Sequence, residues 1–136
     1  MPRHVLIADN DREVAALLAE VLQRFGIAVR HAFDGQQAME ALADPEVAAL
    51  VCDLDMPRVT GAELLQWLAT RPHTPSTVVI SGFLDPVLVR RLRALPFVRQ
   101  LLHKPFDLFG FAETVRRLWL EPAVERGDGA AGAGEQ

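Results

Sequence analysis

Short apolar runs alternate along the chain with longer segments in which apolar residues return every three or four positions. The runs are His4 to Ala8, Ala28-Val29 with their flanks, Val47 to Cys52, Thr77 to Ser81, and Phe97-Val98 through Leu102. Three of them are apolar at successive positions, which suits strands covered on both faces of a parallel sheet. Val14, Leu17, Leu18, Val21, Leu22 and Phe25 form the stripe of a first helix, with Asp11 as its N-cap and Gly26 closing it. Asp34-Gly35 opens a second helix through Ala43, and Thr60-Gly61 a third through Ala69. Asp85-Pro86 opens a fourth, with proline in the first turn, where its missing N–H does no harm. A fifth runs from about Asp107 to Trp119 on a stripe of Leu108, Phe111, Ala112, Val115, Leu118 and Trp119. Gly110 inside it is expected to cost about 1 kcal/mol relative to Ala. Five successive βα units predict an α/β fold, a doubly wound sheet of five parallel strands with helices on both faces.

The chain has 136 residues, half of them hydrophobic, enough for one core and too few for two ordinary domains. Its single cysteine, Cys52, has no partner for a disulfide or a CxxC zinc site, so packing must hold the fold. Cys52 itself is expected to face away from Asp53 as a small buried hydrophobe. From Glu121 onward the sequence loses every aromatic and gains four glycines. A folded domain over 1–120 and a Gly/Ala-rich, acidic, flexible tail over 121–136 are therefore expected. The tail carries a net charge of −3 of the total −4, leaving the body nearly neutral. Such a body has no broad basic footprint for a phosphate backbone, so direct nucleic-acid binding is not expected. No stretch approaches the roughly 18 apolar residues of a membrane span, and acids begin too early for a signal peptide. A cytoplasmic protein without membrane association is the expectation.

In doubly wound sheets ligands gather outside the carboxyl ends of the strands, so the residues after each strand carry the candidate chemistry. The first strand ends in Asp9-Asn10-Asp11, the third in Asp53-Leu54-Asp55, the fourth in Ser81-Gly82 and the fifth in Lys104-Pro105. Oxygen ligands converging from neighbouring strands suit Mg²⁺, which accepts a few carboxylates and keeps waters for a phosphate. Any one such Asp is more often a turn former or helix cap, and Asp11 reads as a cap. Lys104 stands out because the other thirteen basic residues are arginine. A compact ammonium meets one phosphate oxygen without demanding the planar fork of a guanidinium.

These residues carry a resemblance. Asp9, the segment Asp53-Leu-Asp-Met-Pro-Arg-Val-Thr-Gly61, Ser81-Gly82 and Lys104-Pro105-Phe106 together resemble the receiver domain of bacterial two-component response regulators over residues 3–120. The resemblance implies a flavodoxin-like (βα)5 fold and a stand-alone phosphoacceptor rather than a conventional enzyme. Asp53 is then the nucleophile that takes a phosphoryl group from the phosphohistidine of a histidine kinase or phosphotransfer protein. Mg²⁺ is held by Asp9, Asn10, Asp53 and the backbone carbonyl of Asp55. Lys104 pairs with the phosphoryl oxygens, and Ser81 turns toward them, altering a face that an unidentified downstream protein reads. Asp55 and Phe83 flank the path of attacking water. No output domain fits after Leu120, so a single-domain regulator is expected, with a homodimer also open.

Two positions depart from the family pattern. Asn10 stands where a second metal-binding carboxylate is usual, and Leu101 where an aromatic ring often rotates with the switch hydroxyl. A degenerate receiver that docks without phosphorylation is therefore one alternative. A second is a phosphatase of the haloacid dehalogenase type, since Asp53-Leu54-Asp55 also spells its DxD; against it, Pro57 is unusual there and the nucleophile follows the third strand, not the first. Arg90, Arg91 and Arg93 lie off the Leu88, Leu92, Leu95 stripe and read as a solvated face or a contact for an acidic partner. Phe109 and Trp119 read as core, or as a docking patch if exposed. His103 reads as structural.

Overall fold

The computed structural model describes residues 2–122. The tail expected beyond them lies outside the described residues. Five strands, β1 (His4–Ala8), β2 (Val29–Ala32), β3 (Val47–Asp53), β4 (Ser76–Ser81) and β5 (Val98–His103), form one parallel sheet in the order β2-β1-β3-β4-β5. Helices α1 (Arg12–Arg24), α2 (Gly35–Ala41), α3 (Gly61–Leu68), α4 (Pro86–Arg93) and α5 (Leu108–Leu120) connect and follow the strands.

The period-two alternation of a strand divides the core into two layers. Val5 and Ile7 of β1, Ala49 and Val51 of β3, and Val78 and Ile80 of β4 pack with Leu18 and Leu22 of α1 and with Phe111 and Val115 of α5. Leu6, Leu50, Cys52 and Val79 point the other way, onto Leu64, Leu65 and Leu68 of α3, Ala38 and Ala41 of α2, and Leu92 of α4. Cys52 is buried as expected, and burial pushes its thiol well above the usual range, so it is an inert packing group.

The caps read from the sequence are in place. Asp11 accepts from the N–H groups of Glu13 and Val14, Asp34 from Gln37 and Asp85 from Leu88. Thr60 and Glu63 form a reciprocal capping box at the start of α3. Gly110 belongs to the cap of α5: its N–H donates to Asp107 Oδ2 at 2.8 Å, and a Cβ there would lie 3.0 Å from that oxygen.

Some details differ from the expectation. Leu17 is exposed, because the arc of α1 facing the core is Ala15, Leu18, Ala19 and Leu22, and Leu17 lies about 100° off Leu18. The second helix ends at Ala41, after which the chain turns toward Pro45. Trp119 is only half-buried, since Leu118 takes the core position and the Arg3 guanidinium lies over the indole. Among the described residues no helix is long and apolar enough to cross a membrane.

Candidate functional site

The chain leaves β1 for β2 on one side and returns to β3 on the other, so the sheet reverses direction between β1 and β3. Helices leave to opposite faces there and open a crevice at the strands' carboxyl ends. Asp9 follows β1 and Asp53 closes β3, so both sit at this crevice, and both are buried. Asp9 Oδ1 accepts from the Asp11 N–H at 2.9 Å, while its Oδ2 is buried with no hydrogen-bond partner. Asp53 Oδ1 accepts from the Asp55 N–H at 3.0 Å, and its Oδ2 lies 3.3 Å from the ammonium of Lys104.

Burial pushes the Asp9 carboxyl up to about 6; the Asp11 N–H works against this, and the neighbouring Asp53 carboxylate adds to it. Two carboxylates against one lysine leave the crevice short of positive charge. Among the described residues no three His, Cys, Asp or Glu side chains are grouped to cage a metal. The donors present are two carboxylates, the amide of exposed Asn10 and the carbonyl of Asp55. That all-oxygen set, with an unpaired buried oxygen on Asp9, fits Mg²⁺, which needs few protein ligands, and lacks the sulfur and nitrogen donors of a structural zinc site.

Lys104 reaches Asp53 because β5 extends the sheet beyond β4: its backbone N–H donates to the Ser81 carbonyl at 2.9 Å. The Lys104-Pro105 peptide bond is cis, a point the sequence left open. The Ser81 hydroxyl is engaged in its own turn, donating to the Phe83 carbonyl at 2.8 Å and accepting from the Phe83 N–H at 3.0 Å. Nothing in the sequence reading anticipated that turn. Leu101 packs half-buried against the α3 side of the core, and His103 is exposed.

Gly61 explains the spacing of the segment after Asp53. A Cβ at Gly61 would lie 2.5 Å from the Asp53 carbonyl oxygen and from Leu54 Cα, so only glycine lets α3 start this close to the strand end. Arg58, in the same loop, holds φ 64°, a left-handed conformation that side chains disfavour.

A doubly wound sheet with two buried acids and a lysine at its switch point defines a phosphate- or cation-handling α/β domain. The chain belongs to the response regulator receiver domain family, whose pattern it matches over residues 5–116. It is 37% identical over 105 residues to the transcriptional regulatory protein CpxR of Klebsiella pneumoniae, covering 76% of this chain and 43% of that protein. With the regulatory protein VirG of Agrobacterium fabrum it shares 31% identity over 129 residues, 91% of this chain and 49% of that one. The chain thus spans about half or less of these relatives' length. A response regulator receiver domain from Bermanella marisrubri superimposes with TM-score 0.75 at 28% identity, covering 87% of this chain and 98% of that one. The receiver domain of a Francisella response regulator gives 0.78 at 24% identity over 86% and 96%, a likeness of fold alone.

Proposed function

We propose that this chain is a phosphoacceptor in two-component or phosphorelay signalling. The observation that carries the reading is the pairing of buried Asp53 with Lys104 beside the second buried acid, Asp9, on a receiver fold. A carboxylate oxygen of Asp53 attacks the phosphorus of a phosphohistidine on a histidine kinase or phosphotransfer protein; the P–N bond breaks and the imidazole leaves with a proton. Lys104 holds Asp53 Oδ2 in place before transfer and offers its charge to the phosphoryl oxygens afterwards. Asp9, Asn10, Asp53 and the Asp55 carbonyl would hold Mg²⁺, which when bound neutralises charge on the transferring group. Ser81 gives up its bonds to Phe83 to donate to the phosphoryl group, which alters the β4–α4 loop and the face a downstream protein reads. The domain so defined is 1–120, with 121–136 as an appended tail.

The docking-only alternative loses ground because Asp53, Lys104 and Ser81 are all present and Asp53 and Lys104 are in contact. The phosphatase alternative does not match the family or the position of Asp53 on the third strand. The test is intact-protein mass measurement after incubation with acetyl phosphate and Mg²⁺. An adduct of about 80 Da on the wild type and none on Asp53→Ala is expected. No adduct from acetyl phosphate or from any histidine kinase would restore the docking-only reading.

A further inference from the structure

Two exposed apolar patches stand outside the crevice. Leu17, Val21, Phe25 and Phe109 line a groove between α1 and α5, with Phe109 61% exposed and its ring 6.2 Å from that of Phe25. This confirms Phe109, though not half-buried Trp119, as a surface ring. The charges there, Glu20 and Arg24, pair with each other at 3.3 Å, so nothing in that groove selects a partner by charge.

The second patch differs. Phe83 is 73% exposed and Val87 50%, and the next turn of α4 carries Arg90 and Arg91, with Arg93 beyond. Steps of about 100° place Val87, Arg90 and Arg91 on one outward face, off the inward Leu88 and Leu92. All three arginines are exposed, and among the described residues none has an ion-pair partner. Cations suit a helix C-terminus, which accounts for one or two of them. It does not account for the two exposed hydrophobes in line with them.

We propose that Phe83, Val87, Arg90 and Arg91 form a docking stripe for a segment of a partner protein that is acidic and carries an apolar anchor, with Ser81 setting its presentation. Charge complementarity selects the partner, and Phe83 gives the anchor its contact. The Ser81 hydroxyl bonds both the N–H and the carbonyl of Phe83, so it fixes where the ring stands. A hydroxyl drawn to a phosphoryl group on Asp53 releases both bonds, and by linkage the segment and the phosphoryl group then weaken each other. The docking half stands on the surface alone; the regulatory half rests on the phosphoacceptor reading.

The test is fluorescence anisotropy with a labelled helical peptide bearing Glu on its polar face and Leu and Phe on its apolar face. The same peptide with Lys in place of Glu is the control. The acidic peptide is expected to bind the full chain and the lysine peptide not, with binding weakened by salt. Arg90→Glu combined with Arg91→Glu, and separately Phe83→Ala, should each lose about tenfold or more in affinity. Equal binding of both peptides, or equal binding by the charge-reversed variant, overturns the proposal. So does self-association of the chain that Phe83→Ala abolishes, which would assign the stripe to a second copy. A tenfold gain on removing 123–136 would assign it to the chain's own acidic tail and also overturns it. With acetyl phosphate and Mg²⁺, the same sample is weighed for its adduct. Adduct with several-fold weaker peptide binding supports the Ser81 link, and adduct with unchanged binding overturns it. Absence of adduct counts against the phosphoacceptor reading and leaves the docking stripe to be judged by the charge-swap results.

Discussion

Asp9 is the residue at which physical chemistry makes the sharpest demand. Its carboxyl, pushed up to about 6 from 3.8, binds a proton more tightly in the folded chain than in the unfolded one. The stability this adds is fully present below the unfolded value and is lost as pH rises through the folded one. Metal-free protein should therefore be less stable at about pH 7 than at about pH 5 by on the order of 2 kcal/mol from this group, a loss that Asp9→Asn removes. Urea unfolding at the two pH values, wild type against variant, measures it. At Asn10 the amide is neutral where a carboxylate would add charge. Asn10→Asp is expected to bind Mg²⁺ about tenfold more tightly, read by calorimetric titration, and an unchanged affinity would remove Asn10 from the metal site. At Arg58 the left-handed φ costs about 1 kcal/mol, and the ion pair to Asp34 at 3.5 Å is largely exposed. Arg58→Gly should therefore raise the unfolding free energy by up to about 1 kcal/mol.

At the scale of elements, the loop from β3 to α3 sets the geometry of the site. Thr60 and Glu63 satisfy two donors at the start of α3, and Gly61 lets that helix begin against the Asp53 carbonyl. Thr60→Ala should cost about 1 kcal/mol in stability while leaving adduct formation intact. Gly61→Ala must push backbone against backbone, so it should lower stability by 2 kcal/mol or more, roughly, and slow adduct formation by displacing Asp53. Equal adduct rates in a folded Gly61→Ala protein would contradict that account. Elements of this kind were legible in the sequence through chemistry tied to neighbours in the chain: Asp11, Asp34, Thr60, Asp85 and Asp107 all cap the helices they precede. What was not legible depended on tertiary packing. Leu17 belongs to the periodic stripe of α1 yet faces solvent, because the sheet admits only the arc centred on Leu18 and Leu22. The cost assigned to Gly110 missed its role beside Asp107.

Across the whole molecule, the sequence points to the acids at the strand ends because parallel βα units place those ends on one rim. It does not reveal which side chains meet there. Lys104 touching Asp53, the unpaired Asp9 oxygen and the Ser81 turn depend on residues 51 positions apart or on rotamers that no periodicity encodes. Leu101 remains the departure with the widest consequence. No aromatic ring stands at that position to follow the hydroxyl, and the ring bonded to Ser81 through its backbone is Phe83, on the surface. All of this depends on Asp53 being the residue that is phosphorylated. The most direct measurement is reduction of the acetyl phosphate adduct with borohydride, which converts an aspartyl phosphate to homoserine, followed by peptide mass mapping. Homoserine at position 53 and nowhere else is the predicted result. A phosphoryl group mapped to a histidine, or homoserine at Asp9 or Asp55 in place of Asp53, would contradict it.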